Sequence, residues 1–111
     1  MAGYDQRTGR THTEILTVSF SATPTYDASI NRNFKITLTA NVTSSTFVNA
    51  TTGLVYTWLV CQDGVGTRTH VWPTNVKGAV VITGTANTCA VQACVYDGSN
   101  CLALAIGLVG L

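Results

Sequence analysis

Apolar and polar residues alternate with period two along most of this chain, and the alternation predicts strands. Between residues 13 and 22, Leu16, Val18 and Phe20 fall on one side and Ile15, Thr17 and Ser19 on the other, the pattern of a half-buried strand. Pro24 and the cluster Tyr26-Asp27-Ala28-Ser29 end it as a loop. Residues 34–42 alternate most cleanly: Phe34, Ile36, Leu38, Ala40 and Val42 share one face, opposite Lys35, Thr37, Thr39 and Asn41. Residues 44–53 form a polar connection in which Phe47 and Val48 fold back on the core. The run Val55-Tyr56-Thr57-Trp58-Leu59-Val60-Cys61 then gathers aromatic, aliphatic and thiol side chains before the turn signal Asp63-Gly64. Trp58 is large enough to nucleate a small core, with Tyr56 and Val60 facing inward beside it and Leu59 and Cys61 facing outward.

Further strands are predicted at 68–72, closed by Pro73, at 79–83, and at 89–96. Asp97-Gly98-Ser99-Asn100 is a strong hairpin signal, and 101–109 is the returning strand. No segment has a helical apolar period. About seven short strands in a chain of 111 residues predict an all-β fold, a single antiparallel immunoglobulin-like β-sandwich over 13–111 preceded by a polar arm over 1–12. A closed barrel is the competing arrangement.

Composition sharpens this picture. Apolar residues make up 46% of the chain and charged residues only 10%, well under the usual quarter. The surface is therefore covered by Thr, Ser, Asn and Gly, or in part by another protein. A net charge of +1, without basic runs, argues against a nucleic-acid partner and leaves little repulsion between copies. The expectation is a protein made in a cytoplasm, with no signal peptide and no membrane span; the apolar run at 101–111 is too short to cross one. The sequons at Asn41 and Asn49 are then by-products of Thr richness.

Tyr56-x-Trp58 resembles the aromatic pair on the third strand of immunoglobulin-like domains of the PKD-like kind. Cys89-x-Val91-x-Ala93-x-Val95-x-Asp97-Gly98 resembles their sixth strand. The likeness covers roughly 34–109, with departures. Leu59-Val60-Cys61 stands where an acid and a tight turn would follow the Trp, and Gln92 stands where a tyrosine corner would put Tyr. Free-standing domains of this kind resemble capsid decoration (cement) proteins of tailed bacteriophages. The resemblance implies a non-enzymatic virion structural protein on the capsid surface, bound to the major capsid protein or another virion protein and to neighbouring copies of itself. The alternatives are a carbohydrate-binding or adhesion module and a tail or fibre subunit.

Candidate chemistry is sparse. The five acids are isolated, so neither a calcium site nor a paired-carboxylate centre is predicted, and no catalytic residue, cofactor or metal is expected. His70 and Trp72, beside Pro73, form a possible sugar-stacking platform, or else Trp72 caps the end of the sandwich. A four-residue loop at 97–100 pairs residue 96 with 101 and 94 with 103, making Cys94 and Cys101 diagonal neighbours on one face. With Cys89, Val91, Ala93 and Val95 inward, Cys94 faces outward beside Cys61. Three thiols on one face can make a disulfide, a metal site or part of a contact; in a reducing cytoplasm the expectation is free thiols in a contact surface. Cys89 is read as a core residue. The last strand is apolar on both faces, which implies a covering partner on its outer side. The predicted interface is thus Leu59, Cys61, Cys94, Cys101, Ala103 and Ala105, with Arg7 and Arg10 of the arm reaching a neighbour.

Overall fold

A computed structural model of the chain describes residues 14–111. Eight strands account for its regular structure: β1 (Ile15–Thr17), β2 (Thr25–Asp27), β3 (Asn33–Leu38), β4 (Thr46–Val48), β5 (Val55–Gln62), β6 (Val76–Lys77), β7 (Cys89–Tyr96) and β8 (Cys101–Ala103). The fold is all-β, with no helix among the described residues. Six strands form one sheet in the order β1-β3-β5-β7-β8-β6, and β2 pairs with β4 in a second, smaller sheet.

Period-two alternation assigns faces to strands but says nothing about their direction. In β1 and β3, Leu16 lies beside Phe34, and in β3 and β5, Phe34 lies beside Trp58; both pairings are parallel. Parallel neighbours need long crossovers, and here each crossover carries a short strand on the opposite wall. The first holds β2 and the second β4, again parallel, with Tyr26 beside Phe47. The chain therefore winds as a coil whose successive rungs stack in register. The strand expected over 68–72 is reduced to a single parallel bridge between Val42 and His70. Antiparallel pairing begins only where β7 meets β5, with Trp58 opposite Gln92, and continues through the β7–β8 hairpin. The expectation of an antiparallel sandwich is corrected to a mixed architecture, because the connections are long enough to complete a coil. The adjacency of the Trp58 strand and the 89–96 strand is as expected.

The core fills the coil. Phe34, Ile36 and Leu38 of β3 and Tyr56, Trp58 and Val60 of β5 are essentially inaccessible to solvent. Trp58 sits at the centre, its ring 5.0 Å from Phe47, 5.4 Å from Phe34, 5.6 Å from Tyr26 and 5.7 Å from Trp72. Aromatic pairs at these separations add roughly 0.5–1.5 kcal/mol each beyond area burial.

Two buried glutamines hold the irregular segments. Gln92 Nε2 donates to the Ala93 and Ala105 carbonyls, while its Oε1 accepts from the Val80 and Gly107 amides. Gln62 Nε2 donates to the carbonyls of Arg68 and Thr83, and its Oε1 accepts from the Arg68 amide. Residues 79–83, expected to be a strand, are a loop fastened at both ends by these side chains. Fully satisfied, each amide is stabilising inside a core where an unpaired one would cost about 1–3 kcal/mol per group.

Candidate interaction surface

The hairpin turn is as its sequence suggests: Asp97 Oδ1 accepts from the Ser99 and Asn100 amides, and the register pairs Tyr96 with Cys101 and Cys94 with Ala103. The faces, however, are exchanged. Tyr56 lies opposite Cys94 and Trp58 opposite Gln92, so the inward row of β7 is Ala90, Gln92 and Cys94. Cys89, Val91, Ala93 and Val95 point outward. Hydropathy assigns the opposite parity because Gln92 is polar, yet Gln92 is the residue that is buried, its four hydrogen-bonding positions all used inside.

The cysteines follow from this register. Cys61 and Cys89 are directly opposite on the outer face and form a disulfide, with Cα atoms 4.0 Å apart. Cys94 and Cys101, diagonal neighbours as expected, form a second disulfide on the inner face, with Cα atoms 5.4 Å apart. All four are bonded, which replaces the expectation of free thiols in a contact surface. Cys94 and Cys101 are wholly buried and do not face outward; Cys89 is on the outer face rather than in the core. Ala103 faces inward opposite Cys94. Ala105 is exposed, its carbonyl held by Gln92.

The outer face of the main sheet is assembled from register-matched rows. Lys35, Leu59, Val91 and Leu108 make one row across β3, β5, β7 and the C-terminal segment. Val55, Val95, Leu102 and Lys77 make another. Leu104 continues beside Ala93, and Leu111 exchanges two backbone hydrogen bonds with Cys89. Leu102, Leu104, Leu108 and Leu111 are 41%, 57%, 63% and 60% exposed. The large side chains of the C-terminal run are therefore the outward ones, while Ala103 turns inward and Gly107 lies against the sheet, the reverse of the sequence assignment. Gly107 explains the arrangement: a Cβ there would run into the Val91 carbonyl and the Gln92 amide. The main-sheet strands contain no carboxylate, and their only charges are Lys35 and Lys77 at the margins. Leu59 is half-buried on this face, and Cys61 lies beside it within its disulfide. The predicted positions Arg7 and Arg10 lie outside the described residues.

His70 and Trp72 come together, with ring centroids 4.5 Å apart, but edge to face and turned into the protein. Trp72 Nε1 donates to the Val80 carbonyl and its ring packs on Trp58. His70 is buried, its Nε2 2.8 Å from the Tyr26 hydroxyl. The capping role of Trp72 is the one its contacts fit. Burial pushes the His70 imidazole down to about 4 and the Tyr26 hydroxyl up, so neither changes charge near neutral pH. The described residues hold no group of three or more His, Cys, Asp or Glu placed to bind a metal ion. Asp27 is lowered first by the hydrogen bond from Asn49 and then by those of Ser29, whereas Asp63 and Asp97 are lowered first by backbone amides of their own turns.

The His70 shift fixes a pH dependence. The unfolded chain takes up a proton near pH 6.5 that the folded chain refuses until about pH 4, so His70-linked stability is full above 6.5 and is lost as pH falls between those values. A melting temperature that declines from pH 7 to pH 4, with a shallower decline in His70→Phe, is the expected result in thermal unfolding monitored by circular dichroism.

No family model, curated protein or solved structure matches the chain.

Proposed function

We propose that the chain is a non-enzymatic structural subunit of a virion, seated as a decoration or cement subunit on the outer capsid surface. The observation that carries this reading is the apolar outer face of the main sheet, on which Leu59, Val91, Leu102, Leu104 and Leu108 form a continuous patch. An apolar patch rimmed by polar residues favours burial against another protein, and the lysines at its margins leave it free of desolvation penalties at its centre. Burial of this face would stabilise the particle through area, as any ligand that binds the assembled state does. The two disulfides suit a protein that works in an oxidising setting, and a virion surface after release from the host cytoplasm is one. The likeness to immunoglobulin-like domains enters only through the neighbouring Trp58 and 89–96 strands.

A carbohydrate-binding role draws no support from the inward-turned His70 and Trp72.

Co-sedimentation with purified capsids of the source virus tests the reading. The protein pellets with capsids, and the double variant Leu102→Lys/Leu108→Lys, which changes only outward side chains, binds at least about tenfold more weakly, a loss of roughly 1.4 kcal/mol. Equal binding by the variant, or no binding by the unaltered protein, overturns it.

A further inference from the structure

The apolar outer face of the main sheet also has an electrostatic sign, set by the charges left unpaired around it. Lys35 closes the row Lys35–Leu59–Val91–Leu108 at its β3 end. Lys77 closes the row Val55–Val95–Leu102–Lys77 at its β6 end. At a third corner, just before β3, Arg32 Nε donates to the Val55 carbonyl at 3.4 Å. None of these three cations has an ion-pair partner among the described residues, where the one salt bridge joins Arg68 to Asp63. The acids are engaged elsewhere. Asp27, Asp63 and Asp97 accept the hydrogen bonds that fasten their loops, and Glu14 stands before β1, outside these rows.

The register also gives the spacing of the charges. From β3 to β6 the sheet crosses four strand intervals, and the rows of Lys35 and Lys77 stand four residues apart along β5. At about 4.8 Å per interval and about 3.4 Å per residue, the two lysine Cα atoms lie about 23 Å apart. Leu59, Val91, Val95 and Leu102 fill the field between them. A partner that buries this field either leaves the ammonium groups wet at the rim or meets them with anions, and rim charges of opposite sign steer encounter and fix register. A second copy, face to face, brings the same cations and no carboxylate from its strands. An anionic bilayer fits less well. Membrane anchoring sinks an apolar face about 5–10 Å into the headgroup boundary, and on this sheet face each leucine is shorter than the lysines beside it.

We propose that the partner surface is a protein patch, apolar at its centre, with carboxylates about 23 Å apart that meet Lys35 and Lys77. This rests on the docking reading above and adds to it the sign and spacing of the partner's charges, which orient the subunit on the particle.

Binding to purified capsids of the source virus at about 0.01 M and about 1 M salt tests it, because the screening length falls from roughly 30 to 3 Å across that range. At low salt Lys35→Glu/Lys77→Glu should bind about tenfold more weakly than the unaltered chain. At high salt the two should bind alike. Lys35→Arg/Lys77→Arg, which keeps both charges, should match the unaltered chain throughout. Undiminished binding by the Glu variant at low salt overturns the proposal, while a persisting loss in Leu102→Lys/Leu108→Lys keeps the docking reading in place. A deficit in the Glu variant that is the same at high salt also overturns it, since screening removes an effect of charge. Failure of the unaltered chain to pellet with capsids defeats the docking reading and the proposal together. Tighter binding to vesicles of phosphatidylserine and phosphatidylcholine than to capsids, lost in the Glu variant, overturns the proposal in favour of a bilayer.

Discussion

Trp58→Ala is expected to lower the unfolding free energy by about 4 kcal/mol, the largest effect of any single substitution in this chain. Removing a fully buried large aromatic typically costs roughly 3–5 kcal/mol in lost transfer energy and cavity formation. Trp58 stands well inside that range because four rings pack on it, from β2, β3, β4 and the segment that carries Trp72. No one neighbour can collapse into the space without leaving another contact. For a domain of this size a loss of that magnitude corresponds to roughly 15–25 °C in melting temperature. Denaturant unfolding with a matched Trp72→Ala control gives the comparison: Trp72 is at the margin and its loss should be smaller. Equal losses would show that the core is not centred on Trp58.

The second large effect belongs to the disulfide between Cys61 and Cys89. It closes 28 residues of chain, against 7 for Cys94–Cys101. On the chain-entropy account the longer loop contributes about 3.5 kcal/mol and the shorter about 2.5. The double variant Cys61→Ala/Cys89→Ala should therefore unfold at lower denaturant than Cys94→Ala/Cys101→Ala by roughly 1 kcal/mol. The difference has a structural counterpart. The longer bridge ties the last parallel rung to the antiparallel strand that ends the coil, whereas the shorter one staples a hairpin that its Asp97 turn already holds. A thiol reagent applied to the unfolded, unreduced chain should find no reactive cysteine. Four reactive thiols per chain would contradict the pairing outright.

Much of the core was legible from alternation alone. Phe34, Ile36, Leu38, Tyr56, Trp58 and Val60 all face inward as their spacing predicts, and Asp97-Gly98 fixes the hairpin register. Strand direction was not legible, because a strand and its reverse bury the same side chains. What decides direction is the length of each connection, and 24–29 and 44–53 read as loops while hiding β2 and β4, which are only three residues long each. The outward face was misplaced for a different reason. Hydropathy puts Val91, Ala93 and Val95 inside and Gln92 outside, but Gln92 finds partners for both ends of its amide within the fold. Once Gln92 turns in, Cys94 turns in with it. The same parity carries Leu102, Leu104 and Leu108 to the surface and turns Ala103 inward, so the exposed row of the last strand is the one the sequence assigned to the core. Leu59 and Cys61 are the predicted interface residues that keep their places on the outer face, Cys61 within its disulfide.

The central claim is that this outer face is the one the protein buries in its assembly. Hydroxyl-radical footprinting of the protein free and on purified virions reads it directly, because the label reports side-chain exposure on the leucines concerned. Leu102, Leu104 and Leu108 should be labelled readily in the free protein and several-fold less on the particle, with exposed Val65 and Val81 little changed. Unchanged labelling of the three leucines, or absence of the protein from purified virions, would contradict it.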